Sequence, residues 1–205
     1  MVKNILWDFD GVILDSMPVR EYGFRKIFED YDELLVRKLL NYHNENGGLS
    51  RYVKIRYFFE VLLNKTISEK QVLEFADKFS IIMKKELTNK KYLITETCRF
   101  IEENYSKYNF HIVSGSDEKE LQYLCKELGL EQYFLSINGS PTPKNNLVKI
   151  LLNKCSYTED KTILIGDSIN DYEAAKINNI DFYGFNNDSL ISYSKIYLTN
   201  YEVLR

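Results

Sequence analysis

Residues 3–16 read KNILWDFDGVILDS. Ile5, Leu6 and Trp7 make a short apolar run of the kind expected for a strand buried on both faces. The run stops at Asp8 and Asp10, two carboxylates around one phenylalanine, and Gly11 follows them. A strand made for burial that ends in paired acids puts charge at the edge of a sheet, and the rest of the chain has to say what that charge is for.

Outward from this stretch the rhythm changes. From Pro18 to about Glu86 the apolar spacing is helical throughout: Phe24, Ile27 and Phe28, then Leu34, Leu35 and Leu39, then Ile55, Phe58, Phe59 and Leu62. Ser68, with Glu69 behind it, is placed to cap a helix running toward Glu86. Beyond this the pattern alternates. Thr95 is placed to cap a helix through Asn104, and Phe110 to Val113 is a strand pattern ending in Ser114-Gly115-Ser116. Asp117 to Leu128 reads as a helix closed by Gly129, Tyr133 to Ile137 as a strand and Lys144 to Asn153 as a helix. Thr162 to Ile165 is a strand pattern ending in Gly166-Asp167; a helix carrying Tyr172, Ala175 and Ile177 follows, then a strand from Phe182 to Phe185. Strands alternating with helices imply a parallel sheet with helices on both faces. The expected architecture is therefore an α/β, Rossmann-like core over residues 1–15 and 90–205, with an all-α cap over 16–89 inserted after the first strand.

Composition narrows the function classes. Hydrophobic residues make up 44% of the 205, a globular share that argues against disorder. The net charge of -3 lacks the basic excess that nucleic acid demands, and pairs such as Lys84-Lys85 and Lys90-Lys91 read as solvated helix faces. No apolar run approaches the roughly 20 residues of a membrane span, and the start is a strand pattern, not a signal peptide. Cys98, Cys125 and Cys155 are scattered without a CxxC pair, as free thiols in a reducing compartment would be. The default is a cytoplasmic enzyme or binding protein.

In an open parallel sheet, ligands bind at the carboxyl ends of the strands. Those ends here carry Asp8 and Asp10, then Ser114, then Ser140-Pro141-Thr142-Pro143 leading to Lys144, then Asp167 with Asp171 four residues on. Each has an ordinary reading as a turn residue, a helix cap or a solvated lysine. Together they are matching chemistry on separate strand ends. Carboxylates gathered at one place raise each other's pKa, and a hard divalent cation relieves this. Carboxylates with a phosphate and waters suit Mg²⁺, while Lys144 and backbone N–H groups at helix starts suit phosphoryl oxygens.

At this point the motifs resemble those of the haloacid dehalogenase-like hydrolases that carry a helical cap after the first strand. Asp8-Phe9-Asp10-Gly11-Val12 looks like the family's first motif, Ser114 its second, Lys144 its third, and Gly166-Asp167-Ser168-Ile169-Asn170-Asp171 its fourth. Asn145 stands where the family often has proline, and Lys149 is the reserve for the third motif. The resemblance implies a phosphatase acting through an aspartyl-phosphate. In it Asp8 would be the nucleophile and Asp10 the acid and base. Asp8, Asp167, Asp171 and the backbone carbonyl of Asp10 would sit at Mg²⁺, and Ser114, Gly115 and Lys144 would hold the phosphoryl group. Aspartate at position 10 argues for C–O–P chemistry, because dehalogenase and phosphonatase members differ there. A sugar-phosphate phosphomutase using the same aspartates is the alternative. A phospho-receiver domain and a non-catalytic binding protein fit less well, given the cap and the complete acidic set. The partner expected is a small phosphorylated metabolite, with no nucleic acid and no membrane; the oligomeric state is not legible.

The most site-like stretch of the cap is His43-Asn44-Glu45-Asn46-Gly47-Gly48-Leu49-Ser50-Arg51-Tyr52. Arg51 could bind a second anionic or hydroxylated part of the substrate, or it could face water on the first turn of a helix capped by Ser50. His111 lies within a strand pattern and reads as core.

Overall fold

The computed structural model describes residues 2–204. Its sheet begins with β1 (Asn4–Trp7), in which Ile5 and Trp7 join one apolar cluster while Leu6 joins another. Successive side chains of a strand point to opposite faces, so an unbroken apolar run means a strand covered on both. The other strands are β2 (Asn109–Asp117), β3 (Ser136–Ser140), β4 (Thr162–Gly166), β5 (Asp181–Phe185) and β6 (Ile196–Leu198). They lie in the order β3-β2-β1-β4-β5-β6, and every neighbouring pair is parallel. The chain therefore builds outward from β1 to β3 on one side and then returns to β4 on the other. The switch point falls between β1 and β4, with Trp7 opposite Ile165 in the last register pair.

Helices cover the two faces. On one, α7 (Lys144–Cys155) and α8 (Ile169–Ile177) bring Leu147, Val148, Leu151, Ala174 and Ala175 onto Leu6, Val113 and Leu164. On the other, α5 (Thr95–Asn104) and α6 (Glu118–Glu127) bring Phe100, Ile101, Leu121 and Leu124 onto Ile5, Trp7, Ile163 and Ile165.

Four further helices lie between β1 and α5. They are α1 (Met17–Ile27), α2 (Glu33–Glu45), α3 (Arg51–Arg56), which runs into a π-helical turn at Tyr57–Leu62, and α4 (Glu69–Glu86). Local signals start them: Asp32 accepts from the N–H groups of Leu34 and Leu35, Ser50 from Val53, and Ser68 exchanges bonds with Gln71 in a capping box. Aromatic rings hold these helices together. Phe28 is fully buried, 4.1 Å from the ring of Phe58 and stacked on Phe75 at 5.1 Å. This is the helical cap expected after the first strand, and its aromatic core is continuous with one face of the sheet.

The structure departs from the sequence expectations in four places. Residues 131–133 form a 3₁₀ turn, and the strand there runs Ser136–Ser140 instead of Tyr133 to Ile137. Tyr133 and Phe134 are apolar because they pack on the core from a turn, which mimics a strand pattern. β2 continues past Val113 to Asp117, through a register shift against β3 that carries the polar Ser114-Gly115-Ser116 into the strand. Thr95 lies inside α5, with Ile94 in the capping position. β6 is three residues long at the sheet edge, too short for a periodicity.

Replacing Phe28 by alanine should cost about 3–5 kcal/mol of unfolding free energy, the usual penalty for emptying a buried aromatic site. Urea titration of the two proteins checks this; a loss under about 1 kcal/mol would mean that the cap core collapses into the space.

Candidate active site

β1 and β4 deliver the central acids. Asp8 continues β1, its N–H donating to Ile165 O, and Asp167 follows β4 directly. Asp171 sits in the first turn of α8, where its Oδ2 accepts from the N–H and the hydroxyl of Ser168. These three carboxylates each place an oxygen within 4.8 Å of the others. Among the described residues no other group of His, Cys, Asp or Glu donors comes together this way. Gly11 permits the approach: its φ is +75°, and a Cβ there would lie 1.9 Å from Asp167 Oδ2.

Lys144, the first residue of α7, reaches into the cluster. Its Nζ stands 2.9 Å from Asp8 Oδ1 and donates to Asp171 Oδ1. Burial alone would lower the amine's pKa, but the charges of Asp171 and Asp8 outweigh it and hold Lys144 protonated. One ammonium does not balance three carboxylates, of which Asp8 and Asp171 are buried and Asp167 is partly so. Burial first, and then the charge of Asp171, push Asp8 up to about 7 despite Lys144; burial and the charges of Asp8 and Asp171 raise Asp167 well above its usual value. A shortfall of two positive charges among oxygen donors is the donor chemistry a divalent cation such as Mg²⁺ fits. Lys149, the reserve, is exposed on α7 and lines a different cleft, beside Asn146 and Tyr157.

Asp10 faces elsewhere. Its carboxylate accepts from Ser116 Oγ at 2.5 Å, from Arg20 Nε at 2.6 Å and from the Ser16 hydroxyl. Burial would raise its pKa, but Arg20 and the two hydroxyls outweigh burial and hold it below the usual carboxylate range. So the four aspartates divide into a cluster of three and one held by donors of its own. Ser114, buried within β2, accepts from Ser116 N at 3.1 Å and lines the same cleft as Gly115.

The cap closes over this edge. The cleft is walled by Asp8, Asp10, Ser114 and Asp167 from the sheet edge and by Arg20, His43, Gly47, Gly48, Arg51 and Lys54 from the cap. Gly48 lies on the core so closely that a Cβ on Gly115 would stand 2.2 Å from the Gly48 carbonyl oxygen. Tyr52 donates to Asp117 at 2.7 Å across the same boundary. Arg51 does not face water: it is 4% exposed and donates to Glu120 Oε2 on α6 at 2.6 Å and to Ser80 on α4 at 2.6 Å. His111 is core as expected, bonded to Ser136 and Tyr157.

Sequence reasoning missed Arg20, Glu120, Ser16, Ser116 and Lys54. Only Ser116 had a signal, since it belongs to the polar end of β2. Lys54 is 2% exposed, bonded to His43 Nδ1 at 2.9 Å and to Gly47 O at 3.2 Å. Burial chiefly, then Arg20, push its amine down to about 7, and burial and Lys54 push His43 down to about 2.

With this geometry in view, comparison with known proteins is decisive for the family. The pattern described as haloacid dehalogenase-like hydrolase matches residues 5–185. The chain belongs to that family. It is thus a hydrolase, and the curated relatives it resembles are phosphatases. A phosphorylated carbohydrates phosphatase of Thermotoga maritima is 24% identical over 197 residues, covering 89% of this chain and 85% of that one. A phosphoglycolate phosphatase of Vibrio vulnificus is 24% identical over 211 residues, covering 95% and 90%. Among solved structures, a β-phosphoglucomutase of Clostridium difficile superposes with a TM-score of 0.78 at 16% identity, over 100% of this chain and 94% of that one, a likeness of fold. No helix among the described residues is long and apolar enough to cross a membrane.

Lys54 makes a pH prediction. Its folded pKa lies below that of the unfolded chain, so between about pH 7 and 10.5 the unfolded chain holds a proton that the folded one does not. Stability should therefore rise with pH across that window, with Lys54 contributing a slope of up to about 1.4 kcal/mol per pH unit. Lys54→Met should lose that part of the slope in urea titrations at pH 7, 8.5 and 10; equal slopes in the two proteins would show that the amine stays charged.

Proposed function

We propose that the protein is a Mg²⁺-dependent phosphatase of small phosphorylated metabolites, working through an aspartyl-phosphate on Asp8. The observation that carries this is the cluster of Asp8, Asp167 and Asp171 with, among the described residues, only Lys144 paired to it, at the switch point of a parallel sheet. The names of the two curated relatives support the reaction class.

Asp8, Asp167 and Asp171 are the residues that would hold Mg²⁺, which when bound supplies positive charge against the phosphoryl oxygens. The Asp8 carboxylate attacks phosphorus; a new O–P bond forms as the ester P–O bond breaks. Lys144 and Ser114 take the oxygens of the transferring group and offset their charge. Asp10 gives the departing alcohol its proton and then removes one from the water that hydrolyses the aspartyl-phosphate. As held by Arg20, Ser16 and Ser116, Asp10 is ionised, the form needed for the second half. An incoming phosphate is a like charge that pushes its pKa back up, toward the form needed for the first. The closed cap keeps bulk water from the intermediate, so the cap has to move for substrate to enter and product to leave.

Phosphate release from an aryl phosphate and from a panel of metabolite esters, with Mg²⁺ and with excess EDTA, tests the reading. Release that chelation abolishes, and that Asp8→Asn lowers by at least about a thousandfold, is expected. Full turnover in EDTA would remove the metal, and a hexose 1-phosphate returned as its isomer without free phosphate would make the enzyme a mutase.

Asp10→Asn separates the roles of the two acids of the first motif. It should slow hydrolysis of an alkyl phosphate by about 10²–10⁴-fold, the usual contribution of a positioned acid. A single-turnover burst with the aryl ester, whose leaving group needs no proton, should suffer much less. Equal loss in the two bursts would rule out proton donation by Asp10.

A further inference from the structure

Asp10 is approached by two matching pairs of residues. Ser16 stands at the start of α1 and Arg20 one turn further on; the Ser16 hydroxyl and Arg20 Nε both donate to Asp10 Oδ1. Ser116 lies near the end of β2, and Glu120 lies in the first turn of α6, which follows β2 directly. Ser116 Oγ donates to Asp10 Oδ2 at 2.5 Å. Glu120 is completely buried, and its Oε1 accepts from Arg20 Nη1 at 3.3 Å. Asp117, the cap of α6, accepts from Glu120 N at 3.0 Å, so Ser116 and Glu120 belong to one short, fixed piece of chain.

The guanidinium of Arg20 therefore spans two carboxylates, Asp10 and Glu120. Glu120 does not need it as a counter-charge, because its Oε2 already accepts from Arg51 Nη1 at 2.6 Å. Arg51 is itself fixed by Ser80 and by the ring of Phe79, 4.6 Å from its guanidinium. The second contact makes sense from the side of Arg20. Among the described residues its side chain bonds to Asp10 and Glu120, and its Nη2 has no acceptor. A guanidinium is a planar fork that takes a carboxylate through two nitrogens at once where it can, the tightest pairing open to it. On Asp10 it uses Nε alone.

We propose that Glu120 is a positioning residue for Asp10: by taking Arg20 Nη1 it keeps the guanidinium fork from closing on Asp10, so that the acid is held by single bonds. This rests on the phosphatase reading and on the part assigned there to Asp10. That part asks the carboxylate to give a proton to the departing alcohol and later to take one from water. A two-pronged ion pair would fix both of its oxygens on Arg20 and displace Ser116 from Oδ2. Without the charge of Glu120, Arg20 is left with Asp10 as its one carboxylate, and the fork closes on it. Glu120 acts at a distance from the ester, through Arg20, and touches none of the reacting atoms.

Single-turnover bursts with an alkyl and an aryl phosphate test this, since only the alkyl leaving group needs a proton. Glu120→Gln keeps the shape of the side chain and removes its charge. It should lower the ratio of alkyl to aryl burst rates by about tenfold or more. Glu120→Asp, which keeps the charge, should retain part of the ratio. In an Asp10→Asn background, Glu120→Gln should lower the ratio no further, because the residue it acts through is gone. A ratio unchanged in Glu120→Gln, an equal fall on both esters, or a further fall in the Asp10→Asn background would each overturn the proposal and leave Glu120 a structural counter-charge. Failure of both Glu120 variants to fold, read from near-UV circular dichroism, would overturn it in the same way. Absence of any aryl burst from the wild-type protein would instead remove the phosphatase reading, and the positioning role with it.

Discussion

Three carboxylates without enough positive charge set the terms for this molecule. Asp8, Asp167 and Asp171 repel one another where burial weakens screening by water, and among the described residues Lys144 is the one amine that touches two of them. Such an arrangement does not stabilise a fold by itself. It persists because the surrounding structure is built to hold it. β1 and β4 are neighbours at the sheet centre, Gly11 leaves room for Asp167, and Asp171 is bound by the start of the helix it belongs to. The stability of the two apolar layers is what holds this charge in position.

The cap adds the second constraint, close approach. A glycine at 115 lets the Gly48 loop rest on the sheet edge, and Tyr52 and Arg51 bond across the same boundary to Asp117 and Glu120. The contacts that close the cleft are polar, while the cap's own interior is aromatic. Polar contacts can be exchanged for water when two bodies separate, at little net cost. An aromatic core cannot.

Much of this was legible in the chain. The apolar run Ile5–Trp7 ending in Asp8 and Asp10 placed charge at the end of a central strand, and the alternation after Thr95 implied the parallel sheet that is present. Asp8, Asp167, Asp171 and Lys144 stand at strand ends or helix starts, and parallel topology brings such positions together. Strand boundaries were less legible: Tyr133 and Phe134 are apolar for packing on a turn, and β6 is too short to show a period.

By itself the sequence determined that the sheet is parallel, that a helical insertion follows its first strand and which acids stand at strand ends, because each follows from periodicity and from residues next to glycine or at helix starts. Only the tertiary structure decided how the acids divide. Asp10 turns from the other three because Ser16, Arg20 and Ser116 meet it from α1 and β2. It also removed the solvated reading of Arg51, which is buried and bonded to Ser80 and Glu120. Its partner Glu120 lies 69 positions along the chain, and no local pattern encodes a pairing made between the cap and the core.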